Sequence, residues 1–213
     1  MSARCYAAAF LVFSGAAAGA QKPATELWPE LDIYWTPAVH QRTFLELSSS
    51  ADREGPERED TIGLYQDYLM LPAGYLRGGF RYTFSTNDNS YREYRFVGEG
   101  TYTVWARGLA RLVNRSRLEI RDVNTAWSYR VRDRLHLQRL PVKDKGLALA
   151  PYATFEAYYY SQYKTIARVG GRVGSEAHIY GPAWIDLYFA RQDNTRTLPK
   201  YVNAIGLTAK LTY

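Results

Sequence analysis

An all-β chain closed as an antiparallel up-and-down transmembrane β-barrel is the fold this sequence predicts, on three observations. Apolar and polar residues alternate with period two over stretches of about 10 to 14 residues, whereas strands of soluble domains run nearer five or six. The polar partners in that alternation are heavily charged at mid-strand, as in Arg115, Arg117, Glu119 and Arg121. The chain also closes on an alternating stretch, 201–213, with Ile205, Leu207, Ala209, Leu211 and Tyr213 on one face. Alternation alone suits a soluble sandwich equally well. Long charged ladders at strand centres suit an enclosed wet lumen.

Composition narrows the field. The 213 residues carry 27 Lys+Arg against 21 Asp+Glu, a formal charge of +6. Hydrophobic residues at 46% and charged residues at 23% exclude a disordered chain. Mean hydropathy is negative, which excludes a bundle of transmembrane helices but not a barrel, whose apolar residues hide at every second position. The only cysteine is Cys5, so a disulfide framework and a cysteine-rich metal site are both excluded.

Residues 1–20 read as a secretory signal peptide. Arg4 supplies the positive start, 7–13 the short apolar stretch, and Ala18-Gly19-Ala20 the cleavage pattern. The rest, 21–213, is predicted to be one outer-membrane barrel domain. Strand candidates follow in order at 30–35, 41–48, 61–70, 74–84, 91–104, 110–121, 127–139, 147–158, 164–173, 182–191 and 201–213. Polar punctuators separate them: the charged run 48–60, then 85–90, 122–124, 141–146 and 192–200. Bacterial single-chain barrels have even strand numbers and both termini on the periplasmic side, so ten to twelve strands are expected, with twelve preferred.

The faces can be assigned in advance. In 74–84, Leu76, Phe80, Tyr82 and Phe84 oppose Arg77, Arg81 and Thr83; in 92–104, Tyr94, Phe96 and Tyr102 oppose Glu93, Arg95 and Glu99. Trp28, Tyr34, Trp35, Tyr94, Tyr102, Trp105, Trp127, Tyr129, Tyr159 and Tyr213 are expected near strand ends on the apolar faces. Such rings suit the headgroup level of a bilayer. The expected lumen charge network is Arg77, Arg81, Glu93, Arg95, Glu99, Arg115, Arg117, Glu119, Arg121, Arg130, Arg132, Arg134, His136, Glu156, Arg168, Arg172 and Asp186. Leu207, Ala209, Leu211 and Tyr213 form the expected assembly signal. Asp133 breaks the alternation, since its neighbours in parity are Tyr129, Val131, Leu135 and Leu137. A bulge, a place near an interface, or a shifted register would each accommodate it.

Several segments carry a family resemblance: WPELDIYW (28–35), RTFLEL (42–47), RLVNRSRLEIR (111–121), WSYRVRDRLHLQR (127–139), PYATFEAYYYSQY (151–163) and VNAIGLTAKLTY (202–213). With these the chain resembles the bacterial family catalogued as domain of unknown function 2490, whose members are predicted outer-membrane β-barrels. The resemblance implies a fold and a location, with no catalytic residues.

Two roles fit the arginine-rich strands. One is a salt-bridge network that fills and stiffens the barrel. The other is an anion-preferring lumen acting as a small passive pore. Enzyme motifs such as G-x-S-x-G, H-E-x-x-H and the P-loop are absent, as is metal-ligand spacing, so neither catalysis nor a cofactor is expected. His40, His136 and His178 are expected to be structural or surface residues. The alternatives are an outer-membrane hydrolase using His136, or an exported soluble β-protein binding lipid or carbohydrate. Expected partners are outer-membrane lipid, lipopolysaccharide and the barrel-assembly machinery. An exported chain gives no reason to expect nucleic acid.

Overall fold

A computed structural model describes residues 24–52, 58–70, 73–85, 91–141, 148–196 and 200–213. The expected signal peptide, 1–20, lies outside the described residues. Eleven strands follow in chain order: β1 (Ala24–Ala38), β2 (Gln41–Asp52), β3 (Arg58–Met70), β4 (Gly74–Ser85), β5 (Arg92–Arg107), β6 (Ala110–Val123), β7 (Ala126–Arg139), β8 (Ala148–Tyr160), β9 (Thr165–Tyr180), β10 (Ala183–Asn194) and β11 (Tyr201–Thr212). Each pairs with its neighbours in sequence, and β1 pairs with β11 to close the barrel.

The count of eleven lies inside the expected range and one short of the preferred twelve. An up-and-down barrel with an odd count must close on one parallel pair. The β1–β11 ladder is that pair, running from Ala24↔Val202 to Tyr34↔Thr212. The chain therefore enters β1 at one mouth and leaves β11 at the other, so the expectation that both termini share a side is corrected. We call the mouth where β1 begins the first and the mouth where β11 ends the second.

The strands outrun their sequence-based limits. β2 continues to Asp52 and β3 begins at Arg58, with Ser48↔Thr61, Ser49↔Asp60 and Ser50↔Glu59 paired, so most of the expected 48–60 loop is strand. Alternation of apolar residues ends there, but ladder hydrogen bonds do not require it. β9 runs to Tyr180 through a Gly-rich stretch with weak strand propensity of its own. Two of its neighbours need that bareness. A Cβ on Gly174 would fall 2.6 Å from the Tyr188 Cβ and 2.9 Å from the Tyr152 hydroxyl.

Tight turns join several hairpins. Gly108 (φ 58°) and Gly181 (φ 52°) take the left-handed conformation between β5 and β6 and between β9 and β10. Asn124 (φ 49°) and Thr125 (φ 73°) turn β6 into β7, as a two-residue hairpin with both φ positive requires. Irregular register between Thr103 and Trp105 lets both Val104 and Trp105 face outward at the end of β5.

The residue distribution is inside out relative to a soluble domain. Leu64, Leu76, Phe96, Leu118, Leu137, Phe155, Val173, Leu187 and Leu207 are exposed on the outside. Asp67, Glu93 and Glu119 are completely buried on the inside, each 0% exposed. Exposed aromatic residues gather toward the two mouths: Tyr94, Trp127, Tyr129 and Tyr163 at the first, Trp35, Tyr68, Tyr102, Trp105, Tyr180 and Tyr213 at the second. Eleven residue steps separate Tyr94 from Trp105 on β5. At about 3.3 Å per step and a tilt near 40°, the girdles stand roughly 28 Å apart.

Trp28 and Tyr34 depart from the expected facing. Both point inward, because they share parity with Glu26, Glu30 and Asp32 on β1 and the charges set that face. Trp28 packs beside Tyr188, Ala190 and Ala204, while the Tyr34 ring stacks on Phe44 with centroids 4.5 Å apart. Interior tyrosines fit because glycine lies beneath them: a Cβ on Gly206 would meet the Tyr188 ring at 1.9 Å, and one on Gly79 the Tyr65 ring at 2.4 Å.

Candidate functional site

The candidate site is the barrel interior. Register decides its chemistry. Across five strands, β3 to β7, the directly opposed inward residues are Asp67↔Arg77, Arg77↔Glu99, Glu99↔Arg117 and Arg117↔Arg132. One step along, Arg115 opposes Arg134 and Arg134 opposes Glu156, so the arginine pairs of β6 and β7 are flanked by Glu99 and Glu156, and Glu119↔Arg130 lies on the other side. Acid and base therefore interleave around the barrel. The arginine ladder expected from β6 and β7 is corrected here to a buried network of arginine–carboxylate pairs.

Each carboxylate gathers more than one donor. Asp67 accepts from Arg42 (Nε at 2.9 Å, Nη2 at 2.6 Å) and from Arg77 (Nε at 2.6 Å, Nη2 at 3.0 Å). Glu99 accepts from Arg117 Nε at 2.6 Å and from the Tyr75 hydroxyl at 3.0 Å, with Arg115 Nε 3.7 Å away. Glu156 accepts two bonds from Arg132 Nη2, at 2.8 and 2.7 Å, and pairs with Arg134. Glu119 holds Arg130, while Glu46 accepts from the Tyr65 hydroxyl at 2.9 Å and faces Arg81 at 3.4 Å. Near the first mouth Glu93 binds Arg95, Arg121 and the Tyr91 hydroxyl, the last at 2.7 Å. Burial and the Glu93 carboxylate push the Tyr91 phenol well above its ordinary range, so it stays a donor. Forked guanidinium contacts of this kind are among the stronger hydrogen bonds.

All seventeen residues named from sequence as a lumen network, Arg77 through Asp186, lie on inward faces. The structure does not bring them into one cluster. Arg168 donates to Asn194 at 2.7 Å, and Arg172 forms no ion pair among the described residues. Asp186 belongs to a different group, where Lys210 Nζ contacts Glu176 at 2.6 Å and Asp186 at 3.5 Å, and the Tyr152 hydroxyl donates to Asp186 at 2.9 Å. Sequence reasoning passed over Asp67, Arg42, Lys210, Glu176 and the inward acids of β1. Parity within each strand was the signal that could have found them.

A cavity of about 500 Å³ runs through the interior and takes side chains from all eleven strands, among them Arg77, Arg117 and Arg132 of the network. Its lining extends from Glu26, Ser50 and Glu59 near the first mouth to Tyr34, His136 and Glu176 nearer the second. Beyond His136, Arg111 donates to Gln138 at 2.9 Å and Gln138 donates to Glu176 at 3.2 Å, and neither Arg111 nor Gln138 lines the cavity. His136 packs against the Tyr152 ring, with centroids 4.9 Å apart. His40 contacts the Leu69 carbonyl at 3.1 Å and His178 the Gly181 carbonyl at 2.9 Å.

Asp133 resolves cleanly. The β6–β7 ladder runs without a register shift, so no bulge turns it inward. It faces outward near mid-strand and is met by its neighbours on β6: Ser116 Oγ donates to it at 2.6 Å and Asn114 Nδ2 at 3.2 Å. Leu207, Ala209, Leu211 and Tyr213 share the outward face of β11.

No family model matches this chain, and no curated protein matches it.

Proposed function

We propose that this chain is a bacterial outer-membrane β-barrel protein, exported through a cleaved signal peptide over 1–20, whose interior serves first to brace the barrel. The observation that carries the reading is the inverted distribution of residues. Carboxylates that are 0% exposed lie inside, and a largely apolar surface lies outside, interrupted by Asp133 with Ser116 and Asn114 and edged by aromatic residues at both mouths. In a bilayer that outer surface meets acyl chains and the rings meet headgroups. Lipid and lipopolysaccharide are then its surroundings, and the outward face of β11 is its signal to the assembly machinery. The resemblance to domain of unknown function 2490 rests on the quoted segments alone. The reading includes no reaction and no cofactor.

A second reading, a narrow anion-favouring pore, is supported by the cavity and by Arg172, which lines it without an ion pair. One experiment tests both. The purified chain is refolded into lipid, checked for heat-dependent gel migration, and placed in a planar bilayer beside a variant with Arg115, Arg117 and Arg132 changed to Ser. Anion-selective current that weakens in the variant supports the pore. No current from a heat-modifiable barrel leaves bracing as the role. A chain recovered from cells without detergent would overturn the membrane location itself.

A further inference from the structure

The interior charge is polarised across the barrel. β1 turns Glu26, Glu30 and Asp32 inward and no cation. In an eleven-strand ring β6 and β7 stand opposite β1, and they turn Arg115, Arg117, Arg132 and Arg134 inward. Both walls line the same cavity.

The arginines of β6 and β7 are paired with Glu99 and Glu156, while two carboxylates of β1 and one arginine of β9 have no ion pair among the described residues. Neither Glu30 nor Asp32 has a salt-bridge partner within 4.0 Å among the described residues. Asp32 is only 5% exposed, and its Oδ1 accepts no hydrogen bond. On β9, three strands from β1, Arg172 forms no ion pair among the described residues, and its guanidinium lies 5.0 Å from the Tyr188 centroid and 5.8 Å from that of Trp28. On β6 and β7, by contrast, Arg115 lies 3.7 Å from Glu99 and Arg134 pairs with Glu156. Unpaired opposite charges lining a shared space make a site for a molecule carrying both signs.

We propose that this cavity binds a small zwitterionic solute, its ammonium against Glu30 and Asp32 and its anionic group against Arg172. A volume near 500 Å³ is ample for a solute of this size. The inference rests on the barrel reading of the interior and does not require conduction.

Isothermal titration of the purified chain in detergent micelles tests it, with 4-aminobutyrate and 6-aminohexanoate as probes. Butyrate, butylammonium and inorganic phosphate are the single-charge comparisons. Heat-dependent gel migration certifies each variant as folded. At least one amino acid is expected to bind, and each half-molecule to bind about tenfold or more weakly, the worth of one charge-assisted hydrogen bond. Glu30→Gln and Arg172→Gln should each weaken binding by a similar factor, while Arg191→Gln on the outer face should not. Butyrate or phosphate binding as tightly as the amino acids would reduce the cavity to an anion site and overturn the proposal. Butylammonium doing so, or no binding to a folded barrel, would overturn it equally. Amino-acid binding without conductance would end the pore reading and keep this one. Anion-selective conductance without amino-acid binding would do the reverse.

Discussion

Removing the Glu156 carboxylate should destabilise the barrel more than any change on its surface. Glu156 is 2% exposed and is the carboxylate shared by Arg132 and Arg134. In Glu156→Gln the side chain keeps its volume, the Tyr158 hydroxyl at 2.5 Å keeps an acceptor, and two guanidinium groups lose their counter-charge. Leaving one partner of a buried pair uncompensated costs about 3–5 kcal/mol. That is a large share of a total that is typically about 5–15 kcal/mol. The assay is urea unfolding of the chain refolded in lipid vesicles, read by the fluorescence of its tryptophans. A double-mutant cycle sharpens it. Glu156→Leu with Arg132→Met removes both charges, and the pair should be much less harmful than the sum of the single changes, with a coupling of about 1.5 kcal/mol or more. A Glu156→Gln loss below about 1 kcal/mol, with no coupling in the cycle, would mean that water already screens these pairs. The bracing role would then fail.

Two further predictions follow from packing and from facing. Gly206→Val should cost about 1–3 kcal/mol, because its Cβ would enter the Tyr188 ring, which lies 1.9 Å from that position. Adding Tyr188→Ala should restore part of the loss in the same unfolding assay, and no restoration would sink the ring-over-glycine account. Leu187→Arg places a charge on the outward face of β10, where Leu187 is 57% exposed. In vesicles this should cost up to about 2–4 kcal/mol near mid-membrane, whereas a negligible cost would show that the outer face meets water.

Much of this architecture was legible because a strand's period is two. Once parity is set, Arg77, Glu93, Glu99 and Glu156 must share the inside of their strands, and the structure places them there. Parity does not say which face an aromatic residue prefers, and that is where the reading of Trp28 and Tyr34 failed. Their own strand held the correction, since Trp28, Glu30, Asp32 and Tyr34 are all even-numbered and Trp35 is odd. Ion pairing was less legible. Whether Arg117 faces Arg132 or a carboxylate depends on register between strands, which no single strand encodes. The opposition of Glu99 to Arg117, and so the change from ladder to network, emerges only when β5 and β6 pair. The limits of β2, β3 and β9 were hidden for a related reason. Their outer ends are held by ladder hydrogen bonds to a neighbour, not by alternation of their own residues.

The odd strand count and the polarised interior meet on one strand. Parallel pairing is slightly weaker per residue than antiparallel, so the β1–β11 seam is the least favoured ladder of the barrel. β1 also carries Pro29, which has no N–H to donate, and its ladder to β2 omits Trp28 and Pro29. The same strand holds Glu30 and Asp32, neither of them in a salt bridge among the described residues, while the carboxylates bound by guanidinium forks, Asp67, Glu99, Glu119 and Glu156, sit on β3 to β8. The barrel is thus divided in mechanical terms. One arc is cross-linked by guanidinium forks from strand to strand. The other carries the Lys210 pairs to Glu176 and Asp186, and beside them Glu30, Asp32 and Arg172, none in a salt bridge among the described residues. Displacing β1 breaks no ion pair in the first arc, so a solute or counter-ion that neutralises Glu30 and Asp32 acts where the fold has least to lose.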